Sequence, residues 1–268
     1  MKLIVGLIKA SHFGPTMAVT LVSFLLAVNL WWEGPAYVIA FGIFLGQLLV
    51  GFTNDLNDFE DDLKHNRTAK PLVKVDITTS QLRKAIIIVA PIAFLFNIFG
   101  PLGVKGGLVY LFGVGMGVSY NFYFKSTSLS PPPYAFAFAA LVSSIVLATD
   151  RTPPLWLIAS GSLLGVAAHF ANVLKDLDQD LASGIKGLPQ MLGKFYSRLI
   201  VSGLLVLTTV LLHLVNPNPP LLVGGLAAAL ITSFAPDKVI FKFLMVTVVI
   251  DLILLLSAAD STIGSLVI

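Results

Sequence analysis

Asn54-Asp55-Leu56-Asn57-Asp58-Phe59-Glu60-Asp61-Asp62 follows almost directly on the apolar run Ala36 to Phe52, and the joining of such a run to such a cluster decides the fold class. Five of the 14 acidic residues of this 268-residue chain stand within eight positions here. Their mutual repulsion is costly without a counter-ion. If the helix of the apolar run continues, Asn54, Asp58 and Asp62 recur every four residues and stack their oxygens along one face, with Asp55 beside them. Hard oxygen ligands in that arrangement suit magnesium or manganese, and the nearest softer donor is His65.

The rest of the chain supplies the solvent for that run. Hydrophobic residues make up 56% and charged residues 12%, with a mean hydropathy of +0.90. Soluble domains carry about 25% charged residues, so the composition implies a membrane protein and excludes disorder, coiled coil and a water-soluble enzyme. The chain has no cysteine, which removes disulfides, thiolate metal sites and cysteine nucleophiles together. A net charge of +3 is too small to imply nucleic acid as a partner. Met1 to Gly14 holds Lys2, Lys9 and a short apolar piece without a small-residue cleavage site, and reads as no removable signal peptide.

Nine apolar segments follow: Pro15 to Trp32, Ala36 to Phe52, Ala85 to Leu102, Val104 to Phe124, Tyr134 to Thr149, Leu155 to Val173, Leu199 to Val215, Leu221 to Phe234 and Val239 to Ala258. Each is near the length that a helix needs to cross a bilayer, and none alternates as barrel strands do. The expected fold is an all-α integral membrane bundle of about nine transmembrane helices, forming a single unit over residues 1–268. Placing the N-terminus in the cytoplasm puts 15 of the 17 Lys and Arg on one side, leaving Lys105 and Arg151 opposite. Two connections are long, Thr53 to Lys84 and Leu174 to Arg198, and both fall on the cytoplasmic side as Asp-rich loops where function is expected.

The second of these contains the first one's pattern. Asn172, Asp176 and Asp180 repeat the spacing of Asn54, Asp58 and Asp62, and Pro71 and Pro189 each lie nine residues beyond, preceded by Arg67 and Lys70 in one case and Lys186 in the other. This is a weak internal repeat of cassettes at 54–62 and 172–180. Two facing oxygen ladders suit a multi-anion held between metal ions, and magnesium prefers to share its shell with phosphates, so a diphosphate is the economical ligand. A single acidic loop would more often be a solvated surface; two matching ones favour a metal site.

These cassettes resemble those of the UbiA superfamily of intramembrane prenyltransferases. That family's Asn-Asp-x-x-Asp-x-x-x-Asp motif is present as Asn54, Asp55, Asp58 and Asp62, and its Asp-x-x-x-Asp motif as Asp176 and Asp180. The resemblance implies nine transmembrane helices and Mg2+ ions that bridge an isoprenoid diphosphate to the two motifs. It also implies loss of diphosphate, then capture of the allylic cation by a lipophilic, usually aromatic and quinone-precursor-like acceptor. Asn54, Asp58, Asp62, Asp176 and Asp180 would then be metal ligands, the four aspartates catalytic, and Asn54, Asp55, Asn172, Arg67, Lys70, Lys125, Lys186 and Tyr120 substrate-binding. Two stretches depart from the family pattern: Arg67-Thr68-Ala69-Lys70-Pro71 is one residue shorter with lysine for arginine, a point charge for a fork, and Lys125-Ser126 stands where Lys-Arg is usual. A glycerol ether, a porphyrin or chlorin, or a sugar phosphate are the superfamily's other acceptors. The compactness of the chain favours a bacterial inner membrane.

Other residues carry weaker signals. Tyr120, Phe122, Tyr123 and Phe124 read either as cation-shielding rings or, on frequency, as an interfacial aromatic belt. Phe52 and Phe170 line the same chamber or simply pack, and Gly113/Gly117 and Gly161/Gly165 have the spacing of close helix packing. His169 reads first as an interhelical polar contact and second as an acceptor or phosphate contact; His65 reads as solvated, and His12 and His213 have no evident partner. Asp251, in the ninth run, must be protonated, paired or facing a cavity. With the acidic helix ends it also suggests a different class of function, a cation or proton-coupled transporter, although the acids cluster at one face and not at the midplane.

Overall fold

The computed structural model describes residues 2–234 and 237–263, and among these it is all helical. Ten α-helices follow in order: α1 (Lys2–Ala10), α2 (Phe13–Leu30), α3 (Glu33–Lys64), α4 (Thr79–Phe99), α5 (Gly103–Ser119), α6 (Pro131–Leu147), α7 (Leu155–Ala182), α8 (Leu188–Val215), α9 (Pro219–Phe234) and α10 (Asp237–Thr262). Each of the nine expected runs falls on one of α2 to α10, α5 continuing into a π-helical turn at Tyr120–Phe124. Six helices among the described residues are long and apolar enough to cross a membrane, and α6 and α9 are shorter apolar helices. The helix that no apolar run announced is α1, whose nine residues are too few to cross.

Local chemistry sets the boundaries. Thr78 and Gln81 form a reciprocal capping box at the start of α4, the Thr78 hydroxyl accepting from Gln81 N at 3.2 Å and the Gln81 side chain from Thr78 N at 2.9 Å. Proline opens α6 at Pro131 and precedes α7 at Pro154, where a missing N–H costs nothing. His213, which had no partner in sequence, accepts from Asn218 N at 3.0 Å and helps shape the turn into α9.

Consecutive helices pack on one another, α10 returns to α2 and α8, and α3 reaches across to α5, so the chain closes on itself as a bundle. Leu26, Leu30, Ile43, Tyr110, Ile145 and Leu212 meet at its centre. Large apolar side chains also point outward, Tyr37, Ile87, Phe99, Phe112 and Leu214 among them, as lipid-facing helices require and as water would not allow. The glycine pairs do pack: a Cβ at Gly161 would meet Val142 Cγ2 at 2.9 Å, and one at Gly165 the Tyr134 carbonyl at 2.5 Å. A Cβ at Gly113 would meet the Ala137 carbonyl at 3.1 Å, and one at Gly117 would meet Val50 Cγ2 at 3.0 Å. Asp251, fully buried, accepts from the Thr209 hydroxyl at 2.6 Å, which is the interhelical bond between α10 and α8 that its position suggested.

Two sequence expectations are corrected here. The Asp-rich stretches are not loops, because α3 and α7 run on through them; at 1.5 Å per residue the 32 residues of α3 span about 48 Å against about 30 Å of hydrocarbon. A helix needs apolar side chains only where lipid surrounds it, so the apolar run ends at Phe52 while the helix does not. The true connections are 65–78 and 183–187, and α8 restarts early, broken at Gly193, whose φ of 76° only glycine adopts readily. Of the 15 basic residues assigned to one side, the Lys238 and Lys242 side chains lie outside the described residues.

Candidate active site

Because α3 continues, Asp55, Asp58 and Asp62 stand at i, i+3 and i+7 and share one face. Asp55 and Asp62 are each only 2% exposed. Their counter-ions arrive from elsewhere in the chain. The connection after α3 folds back, Arg67 N bonding the Asp62 carbonyl at 2.9 Å. That turn brings Arg67 Nη1 to Asp62 Oδ1 at 2.9 Å and Lys70 Nζ to Asp55 Oδ1 at 2.7 Å and within 3.9 Å of Asp62 Oδ2. From the far side Lys125 Nζ donates to Asp58 Oδ2 at 2.5 Å, and Asn54 Nδ2 donates to the same oxygen at 3.1 Å. His65, at the end of α3, is exposed and turns back to Asp61 at 3.2 Å.

His12, for which the sequence showed no evident partner, completes this half of the site. It occupies the α1–α2 turn with φ 50° and ψ 56°, a left-handed conformation uncommon for a side-chain-bearing residue, and its Nε2 reaches Asp55 Oδ1 at 3.0 Å. A carboxylate only accepts, so Nε2 is the donor there. Burial pushes the Asp55 carboxyl up, but the His12 hydrogen bond and the Lys70 ammonium outweigh it and hold the group below the usual carboxylate range. Lys70 answers in kind: burial alone would lower it, yet Asp55 holds its ammonium above the ordinary value. Asp62 goes the other way, raised by burial and by the charge of Asp58 despite Lys70 and Arg67.

The end of α7 is barer. Asp180 accepts from Gln190 Nε2 at 2.9 Å and is raised, chiefly by burial and further by Asp176, against the opposing charges of Lys125 and Arg67. Asp176 and Asn172 are exposed, the latter bonded to the Tyr134 hydroxyl. Asp178 faces away and pairs with Lys194 at 2.7 Å. Lys186 is exposed and meets no carboxylate among the described residues, so it does not join the other three expected diphosphate cations.

Shared neighbours join the two ends. Arg67 spans them, donating through Nη2 to Ser183 Oγ at 2.5 Å while Nη1 holds Asp62. Lys125 touches Asp58 and acts on Asp180, and Tyr120 lies close enough to feel the charges of both carboxylates. Behind Tyr120 its ring meets Tyr134 edge-on at 4.9 Å and His169 at 5.4 Å. His169 Nε2 contacts Ser130 Oγ at 3.1 Å, the interhelical reading of that residue, while its buried Nδ1 has no partner among the described residues. Phe52 and Phe170 pack into separate apolar clusters. Phe122 and Tyr123 are 46% and 75% exposed, as an interfacial belt would be. A cavity of 290 Å3 opens between them, Asp58, Lys125 and Ser183.

Among the described residues no three His, Asp or Glu side chains converge into a metal centre by themselves. The donor set still fits a hard divalent ion. The available donors are oxygens, Asp180 is hydrogen-bonded by the neutral Gln190, and an ion such as magnesium takes one or two carboxylates and fills its shell from water and substrate phosphate. A polyanion seated between the helix ends would meet Lys125, Arg67 and Lys70.

Residues 16–247 match the UbiA prenyltransferase family. No curated protein matches the chain in sequence. Among solved structures it is similar to a digeranylgeranylglyceryl phosphate synthase, at 15% identity and a TM-score of 0.71, over 97% of this chain and 100% of that one. A UbiA homolog from Archaeoglobus fulgidus, solved bound to GPP and Mg2+, is also 15% identical with a TM-score of 0.69, over 95% of this chain and 99% of the other. The same homolog solved with DMAPP and Mg2+ agrees equally well, with a TM-score of 0.69. At that identity the likeness shows the fold.

Proposed function

The chain belongs to the UbiA prenyltransferase family, and from that membership we propose that it transfers a prenyl group from an isoprenoid diphosphate to a lipophilic acceptor, with Mg2+ held at the ends of α3 and α7. The observation that carries this reading is the pair of carboxylate-bearing helix ends joined by Lys125 and Arg67, an arrangement suited to a diphosphate and its ions. In the solved homolog of the same fold the ligands are GPP or DMAPP with Mg2+.

Asn54, Asp58 and Asp62 on one side and Asp176 and Asp180 on the other are the proposed ligands. Held by these residues, magnesium would supply positive charge to the departing diphosphate. Lys125, Arg67 and Lys70 bind the remaining phosphate oxygens, and Asp55, held by Lys70 and His12, fixes the ammonium in place. The allylic C1–O bond breaks with its electron pair going to diphosphate. The rings of Tyr120 and Tyr134 shield the resulting cation from water, a new bond forms from C1 to the acceptor, and the acceptor loses a proton.

For the acceptor we favour an electron-rich, quinone-precursor-like aromatic ring, which needs no activation to capture a carbocation. A glycerol ether is the second reading, because a structural neighbour is a digeranylgeranylglyceryl phosphate synthase. The charge bias of the sequence favours the cytoplasm for the cassette end, and the compactness of the chain favours a bacterial inner membrane. Six long apolar spans and family membership make the protein a multi-pass integral membrane protein, and the transporter reading gives way to an enzyme.

The test is turnover: purified protein in detergent, geranylgeranyl diphosphate with shorter and longer donors, Mg2+, and a panel of phenolic and glycerol-ether acceptors. Magnesium-dependent diphosphate release with a prenylated product is expected. Donor-independent ion flux in proteoliposomes with no product from any pair would overturn the reading.

A further inference from the structure

We propose that Asn57 and Asn121 are positioning residues that pin a π-helical turn whose register carries Lys125 onto Asp58. The inference rests on the reading of this site as a donor diphosphate pocket.

Lys125 is the fifth residue after Tyr120. Along an ordinary α-helix five residues place a side chain about 140° around the axis, so Tyr120 and Lys125 would face different neighbours. Here Lys125 N bonds the Tyr120 carbonyl at 2.9 Å, an i to i+5 closure, and a turn closed on the fifth residue returns that residue above the first. Both side chains consequently address the carboxylates at the ends of α3 and α7.

Such a turn is rare and occurs mostly as a single turn at the end of or within an α-helix. The Asn121 carbonyl, inside it, accepts from Asn57 Nδ2 at 2.8 Å. The Asn121 side chain is buried and donates to the Val50 carbonyl at 3.0 Å and to Thr53 Oγ1 at 3.1 Å. Two amides therefore sew the turn to α3, one turn of helix apart and immediately beside Asp58. Of the turn's aromatic rings, Tyr120 packs on Tyr134 and His169 while Phe122 and Tyr123 point outward, so the two amides are the turn's polar ties to α3. Asn57 stands between Asp55 and Asp58 in sequence, and its one described side-chain hydrogen bond is to the turn.

A double-mutant cycle tests whether Asn57 acts through Lys125. KM for geranylgeranyl diphosphate and kcat are measured at saturating Mg2+ for the parent, Asn57→Ala, Lys125→Ala and the double variant. We expect Asn57→Ala to raise KM roughly three- to tenfold, the loss of one hydrogen bond, with kcat changed less. In the Lys125→Ala background the same change should shift KM by less than about twofold. Thr53→Val, which removes one acceptor of Asn121 without emptying the helix, should raise KM about two- to threefold and lose that effect in the same background. Effects that persist without Lys125, or a parent-like KM in both Asn57→Ala and Thr53→Val, overturn the inference and leave the prenyltransferase reading standing. A merely structural role would lower kcat through the active fraction and leave KM alone. A parent that turns over no donor removes both.

Discussion

The ends of α3 and α7 carry the same Asn-x3-Asp-x3-Asp spacing and live in opposite surroundings. At the first, Asp55 and Asp62 are buried and Asp58 half-buried, and Lys70, Arg67, Lys125 and His12 converge on them. At the second, Asp176 is exposed and Asp180 has a neutral partner, Gln190. Spacing along one helix fixes which oxygens share a face, but the compensating charge comes from residues remote in sequence, and here nearly all of it goes to one side. The first end is a pre-neutralised cradle that binds polyanions through its cations, whereas the second is the electrostatically hungrier partner for a metal ion.

If that division is right, chelation should hit both ends together and abolish turnover, with Mg2+ restoring it. Next in size, Asp58→Ala, Asp62→Ala, Asp176→Ala and Asp180→Ala should each cost about 100- to 1,000-fold in kcat, in line with losing one preorganised electrostatic contact to the leaving group. The ends should differ in how they lose it: titration with Mg2+ should rescue Asp176→Ala more readily than Asp62→Ala, whose loss also leaves Arg67 without its buried partner. Equal rescue would erase the distinction. Acidification should act the same way on both. Burial raises Asp62 and Asp180, so each takes up a proton, and ceases to be a ligand, at a pH above the ordinary carboxylate range; activity should fall there first, and a fall only at the normal range would contradict the burial assigned to them. Smaller again, His12→Ala should raise donor KM only about three- to tenfold, because Lys70 still holds Asp55. Asp251→Asn should change turnover by less than about twofold, since an amide oxygen can still accept from Thr209 and the residue belongs to neither end.

Much of this was legible before any coordinates. Nine apolar runs, one-sided lysines and two cassettes at equal spacing are statements about solvent and helical period, which a sequence encodes directly. The share of Asp55 in the site was legible too, as the residue beside the four-residue ladder that starts at Asn54. His12 was not, since its partner is 43 residues away and the left-handed turn that aims it has no residue signature. Nor was the π-helical turn, because Tyr120 to Lys125 reads as a plain aromatic run until the i to i+5 closure is seen. Lys186, placed by analogy with Arg67 and Lys70, stands exposed on the short connection after α7 and is described with no carboxylate partner.

The central claim is that the two ends act as one diphosphate site bridged by metal. Binding of a non-hydrolysable geranylgeranyl diphosphate analogue to the detergent-purified protein, with and without Mg2+, tests it in the parent, in Asp58→Ala, in Asp176→Ala and in the double variant. The account predicts magnesium-dependent binding that either single substitution weakens severely and that the double weakens little further. Binding that is indifferent to Mg2+, or that survives Asp176→Ala unchanged, would contradict it.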